Sequence, residues 1–171
     1  ASFETEALKA QAVVARTYAQ REKRHENANI CTDSTCCQAY CAPESYTGGN
    51  KALEKVRLAV EATATQVLTY QGKLIEATYF SCSGGKTEDA AAVWGQSVPY
   101  LQAVDSPGEE QAANYIKTTS ISAGEFSAAF GGLSGMPGNW VGKVTYTKGG
   151  GVDTIEIGGK DGFTVQAAWS N

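Results

Sequence analysis

The clearest periodicity in the chain lies near its start. Over 6–20, EALKAQAVVARTYAQ, apolar residues recur at helical spacing, and Leu8, Ala12, Ala15 and Ala19 form one small-residue stripe. Ala, Leu, Lys, Gln and Arg all favour helix. Ser2 or Thr5 is placed to cap the start, and Glu4 and Glu6 suit the positive end of the helix dipole. Lys9, Val13 and Arg16 fall on another shared face. With so many Ala and Val positions the helix has little plain polar surface, so its two cations are expected to line a cleft. A second helix is predicted over 52–62, with Leu53, Val56 and Val60 at helical spacing. Strands are expected over 66–70 and 74–80, joined at Gln71-Gly72-Lys73 as a hairpin.

The strand over 74–80 runs into Ser83-Gly84-Gly85, followed at once by Lys86, Thr87 and Glu88. Adjacent glycines let the backbone approach another group closely, and a polar loop after a strand is a common place for a site. A short turn follows Asp89, then an extended piece from Pro99 to Pro107. Further on, a strand is predicted over 115–120. A helix over 122–130 has Ser122 and Glu125 spaced as a capping box. Gly131 to Asn139 reads as loop, and strands are expected over 140–147, 152–157 and 163–169 with glycine turns between them. Helices come early and strands late, which predicts an α+β fold: a helix-rich N-terminal part with a Cys-rich loop, packed on antiparallel strands.

Composition adds bounds. At 171 residues with 42% hydrophobic and 19% charged, the chain is an ordinary globular one. A net charge of −4 argues against a general nucleic-acid binder. No apolar run is long enough to cross a bilayer. Four of the five cysteines fall between Cys31 and Cys41, within a Cys-rich insertion over 24–50. His25, the one histidine, Cys31 and Cys37 are six apart each time, and Cys36 or Cys41 offers a fourth soft ligand. Such a set suits tetrahedral zinc. Disulfides, Cys36–Cys41 or Cys31–Cys37, are the alternative in an exported protein. Cys82 reads as a small buried hydrophobe.

The blocks EALKAQAVVARTYA, ICTDSTCCQAY, ATYFSCSGGKTEDAAAVWG and VPYLQAVDSP occur in the order found in the stage II sporulation protein D family, which takes in the amidase-enhancer domains. The chain resembles that family over most of residues 6–107, and more loosely beyond. The resemblance implies a single catalytic domain over 1–171, truncated at both ends. It implies a lytic transglycosylase that cleaves peptidoglycan glycan strands stripped of stem peptides during engulfment, leaving 1,6-anhydro-N-acetylmuramic acid. It also implies action outside the cytoplasmic membrane by a membrane-anchored parent, with cell-wall hydrolases as neighbours.

The family's catalytic glutamate lies in an element just before the position of Ala1, so Glu88 is the remaining in-chain acid, or else a structural partner for Lys9 or Arg16. Lys9, Arg16, Ser83, Gly84, Gly85, Thr87 and Tyr100 match positions expected to hold the cleft or touch glycan. Some members bind zinc. Relatives often carry His where Cys36 stands here, so the implied ligands are His25, Cys31, Cys36 and Cys37, holding a structural ion near the end of the first helix.

Overall fold

The computed structural model describes residues 3–21, 25–112, 115–158 and 163–166. It comprises two compact units, Ala1–Tyr79 and Phe80–Asn171.

In the first unit, α1 (Thr5–Gln20) packs against α2 (Asn50–Ala62). Glu4 takes the N-cap position of α1 without a side-chain bond. Thr5 is therefore the first helical residue, not the cap, and Ser2 lies outside the described residues. The stripe Leu8, Ala12, Ala15, Ala19 is half-buried, while the deepest positions are Thr17 and Tyr18. Thr17 is tolerated there because its hydroxyl is fully used: it donates to the Val13 carbonyl (2.7 Å) and accepts from the Leu68 N–H (2.9 Å). From α2, Ala59 is the buried residue, a size that lets two helices approach closely; Val56 and Val60, which share a helical spacing pattern with Leu53, are exposed.

The predicted hairpin is much shorter than its sequence suggests. Only Thr69–Tyr70 (β1) and Lys73–Leu74 (β2) pair, around a Gln71-Gly72 turn with both φ positive (50° and 78°). Past Leu74 one further bond joins Ile75 N–H to the Leu68 carbonyl, and then Thr78 N–H turns back to Glu76. An isolated two-stranded ribbon buries too little to extend itself, so 75–80 is not strand.

In the second unit, α3 (Ala90–Trp94) is capped by Asp89, whose side chain accepts from Ala92 N–H at 2.9 Å. The helix α4 (Ala123–Ala129) carries the predicted capping box in full. A three-stranded antiparallel sheet follows in the order β3 (Val141–Tyr146), β4 (Val152–Ile157), β5 (Phe163–Gln166). The register shifts between Val141 and Val144, where Glu156 accepts from Lys143 N–H (3.1 Å). A Cβ at Gly142 would come to 3.0 Å from that carboxylate and 3.1 Å from the Glu156 Cβ, so a side chain there would require Glu156 to shift. Trp140 stacks on Phe126 (6.2 Å between centroids) and donates its indole N–H to the Ser134 carbonyl (2.9 Å), which ties α4 to the start of β3.

The strand expected over 115–120 does not form. Ile116 and Ile121 are 79% and 60% exposed, and no strand pairs with this stretch among the described residues. Of the turn expected after Ile157 and the strand over 163–169, residues 159–162 and 167–169 lie outside the described residues. The α+β class expected from the element order is the one observed, and a Cys-rich loop lies between α1 and α2.

Candidate metal centre and polar loop

The Cys-rich loop of the first unit brings four predicted ligands together. His25, Cys31, Cys36 and Cys37 each offer one ligand atom, all within 4.8 Å of one another. His25 Nε2 lies 3.2 Å from Cys37 Sγ and 3.8 Å from Cys36 Sγ, and the two sulfurs are 3.8 Å apart. With metal–sulfur bonds near 2.3 Å, the edge of a zinc tetrahedron is about 3.8 Å between sulfurs, so the spacing already suits an ion. The backbone explains the clustering. Asp33 accepts from the N–H and hydroxyl of Thr35, while its carbonyl accepts from Cys36 and Cys37 N–H. That tight turn presents adjacent cysteines to His25, whose own N–H is fixed to the Ala28 carbonyl at 3.2 Å. All five cysteines are free thiols, so neither disulfide expected as the alternative is formed. Cys41 is outside the cluster and its thiol donates to the Ala42 carbonyl.

The cluster polarises its thiols unequally. Cys37 is lowered to about 6, first by the Cys31 backbone N–H and then by His25, whereas Cys36 is raised to about 11, first by its hydrogen bond with Cys31 and then by Cys37. Without metal, Cys37 should therefore be the reactive thiolate at pH 7. Iodoacetamide is expected to label Cys37 well before Cys36, as read by peptide mass mapping, with added zinc protecting both; equal labelling of the two would contradict the geometry. Because the folded-state value of Cys37 lies below its ordinary one near 9, its contribution to metal-free stability is full above pH 9 and is lost as pH falls through 6.

Lys9 and Arg16, paired in the sequence reading, do different things. Lys9 pairs with Glu6 (2.7 Å) and lines an open groove of about 390 Å³, together with Val13, Ala62, Thr63 and Gln66. Arg16 donates to the carbonyls of Thr63 (2.8 Å), Gln66 (2.9 Å) and Val60 (3.4 Å), which closes the C-terminal end of α2.

In the second unit, the Ser83-Gly84-Gly85 loop is held by a residue the sequence reading missed. Glu109 Oε2 accepts from Ser83 N–H (2.9 Å), Ser83 hydroxyl (2.5 Å) and Gly85 N–H (2.9 Å), and the Cys82 thiol is 3.8 Å away. These donors, Ser83 hydroxyl first, hold the Glu109 carboxyl down at about 2. Cys82 is half-buried in this loop rather than inside a strand. The Tyr115 hydroxyl donates to the Gly84 carbonyl at 3.1 Å. Residues 85–87 pair with 104–106 through Thr87 N–H to Val104, Ser106 N–H to Gly85, and the bridge Lys86–Asp105. Thr87 hydroxyl donates to the Gln102 carbonyl (3.1 Å) and accepts from Val104 N–H (2.9 Å). Tyr100 sits in the turn closed by Leu101 N–H to Val98.

Glu88 has internal partners, but not the cations expected. One oxygen accepts from Thr147 hydroxyl (2.7 Å) and Gly151 N–H (3.0 Å); the other is buried and meets no donor among the described residues. A Cβ at Gly149 would fall 2.4 Å from its carboxyl carbon, so a side chain is excluded there unless Glu88 moves.

The fold and site define a mixed α+β protein with a thiol–imidazole cluster of metal-binding geometry. A family profile described as "SpoIID: Stage II sporulation protein" matches residues 1–70. The chain is 37% identical over 171 residues to a "Stage II sporulation protein D" of Bacillus amyloliquefaciens, across 92% of this chain and 49% of that one. A "Stage II sporulation protein D" of Bacillus subtilis is 36% identical over 173 residues, across 94% and 50%. The "Amidase enhancer" of Bacillus subtilis is 43% identical over 101 residues, across 59% of this chain and 13% of that one. The chain belongs to the stage II sporulation protein D family. It spans about half the length of the two sporulation relatives.

Proposed function

We propose that this chain forms part of a lytic transglycosylase that acts on denuded peptidoglycan glycan during sporulation, with zinc as a structural ion at His25, Cys31, Cys36 and Cys37. The observation that carries this reading is the extent of the likeness: 92% of the chain aligns with a sporulation protein D at 37% identity. The chemistry needs one carboxyl that protonates the glycosidic oxygen and then, as carboxylate, takes the proton of the sugar's own 6-hydroxyl. We assign that acid to the segment that the family places before Ala1. Glu88 is a poor substitute, since Thr147 and Gly151 already engage it. Lys9, in its open groove, is the cation best placed to meet sugar oxygens.

A four-ligand set leaves no open position for an activated water, so zinc would hold the loop between α1 and α2 and take no part in bond cleavage. The parent protein would work outside the cytoplasmic membrane, anchored by a segment beyond this chain, alongside other cell-wall hydrolases. In the described residues no helix is long and apolar enough to cross a membrane.

Joined to its upstream segment, the protein is expected to convert denuded strands into products that end in anhydro-muramic acid and are lighter by one water than hydrolysis products, as seen by mass spectrometry. Hydrolysis products, or no products, would refute the transglycosylase reading. The likeness to an amidase enhancer supports a second reading, a non-catalytic modulator; a rise only in the activity of an added amidase would select it.

A further inference from the structure

We infer that the Ser83–Gly85 loop is a subsite for the free lactyl carboxylate of muramic acid, and that Glu109 occupies it as an internal stand-in. The inference rests on the glycan reading above and gives it a source of selectivity. Gly84 and Gly85 have φ of 81° and 103°. In that conformation the N–H groups of Ser83 and Gly85 converge on one point, as in anion-binding nests. The Ser83 hydroxyl joins them, and all three donate to a single oxygen of Glu109, at 2.5–2.9 Å. Tyr115 fixes the loop through the Gly84 carbonyl (3.1 Å) and stands 3.2 Å from where a Gly85 Cβ would be. The next residue, Lys86, adds a half-exposed cation, in a 3.7 Å contact with an Asp105 that is 86% exposed. The donors therefore sit on an ordered part of the chain. Glu109 itself is carried by a three-residue turn between exposed neighbours, Gly108 and Glu110.

A denuded strand differs from a peptide-bearing one at one group. Each muramic acid shows a lactyl carboxylate where the other shows an amide. A carboxylate takes three converging donors as charge-assisted hydrogen bonds, while an amide oxygen takes them more weakly and its N–H opposes them. A nest matched to Glu109 is matched to the group that marks a stripped strand. Substrate would displace Glu109, so the resting contact is autoinhibitory.

The test is a titration of the full chain with denuded glycan oligosaccharides, the same strands with methyl-esterified lactyl groups, and N-acetylmuramic acid. Glu109→Ala is expected to bind the acid forms about tenfold tighter than the unaltered protein, with ester affinity unchanged and with Ser83 and Gly85 amide resonances shifting on binding. Ser83→Ala should weaken the acid forms alone. If Glu109→Ala melts before the titration, Glu109→Gln, which keeps the shape and removes the charge, should show the same preference to a smaller degree. Equal binding of acid and ester by every variant, or weaker acid binding by a folded Glu109 variant, overturns the subsite while leaving the glycan reading in place. Binding of N-acetylmuramic acid without binding of strands would keep the subsite and remove the glycan reading.

Discussion

Cys31→Ser protein, treated with a chelator, reloaded with zinc and dialysed, is expected to keep no ion, where the unaltered chain keeps about one. Serine is a hard, protonated alcohol at neutral pH, so the exchange removes one of four ligands from a cluster whose atoms lie within 4.8 Å of one another. Outer-shell changes at metal sites cost roughly 10–100-fold in affinity. Loss of a ligand itself should exceed about 100-fold, enough to read by competition with a coloured chelator. Cys41→Ser is the control. Cys41 lies outside the cluster, with its thiol on the Ala42 carbonyl, and the variant should keep its zinc. Retention by Cys31→Ser, or loss by Cys41→Ser, would show that the ligand set is misassigned. Acid should release the ion as well, because thiolates must be regenerated as thiols on release.

Arg16→Ala should lower the melting temperature by about 5–10 °C, from a loss of about 2–3 kcal/mol in a protein of this size. The guanidinium bonds three carbonyls, at Val60, Thr63 and Gln66, and the first two belong to the last turn of α2 and its end. The Val60 and Thr63 carbonyls also accept from the Thr63 and Gln66 N–H groups (3.3 and 3.0 Å), so Arg16 adds charge-assisted bonds at the helix end, where a cation is favoured by the dipole. Lysine has too few donors in a fixed plane to replace the fork, so Arg16→Lys should recover less than half. Lys9→Ala, which removes an exposed pair with Glu6 three residues away, should change stability by no more than about 0.5 kcal/mol. Thermal unfolding followed by circular dichroism separates the cases, and equal behaviour of the Arg16 and Lys9 variants would remove the clamp.

Several features were legible before any coordinates. The helix over 6–20 is written in propensity and period and forms within one residue of its expected start. The Ser122–Glu125 capping box is a local motif, and it closes as such. The gathering of His25 with Cys31, Cys36 and Cys37 was legible too, because the four are close along the chain and a short loop can hardly keep them apart. Failures occurred where a local pattern needed a distant partner. The stretch 115–120 has strand-forming residues, yet a strand is stable only when another pairs with it, and none does among the described residues. Arg16 shares a helical face with Lys9, but that face does not reveal that Arg16 reaches carbonyls 44 to 50 residues away. Glu109 gave no signal at all: a glutamate in a Pro-Gly-Glu-Glu turn is ordinary, and its donors lie 24 to 26 residues earlier.

By itself the sequence determined the main helices, the Ser122–Glu125 capping box, the glycine turns and the soft-ligand loop, since each is set by interactions within a few residues, where chain connectivity keeps partners at high local concentration. Only the tertiary structure decided which charges face solvent and which are satisfied inside. It directed Arg16 to the end of α2, Glu88 to Thr147 and Gly151, and Glu109 to the glycine loop. A buried or half-buried polar group must find a partner wherever folding places one, and that place is decided by packing of segments far apart in the chain.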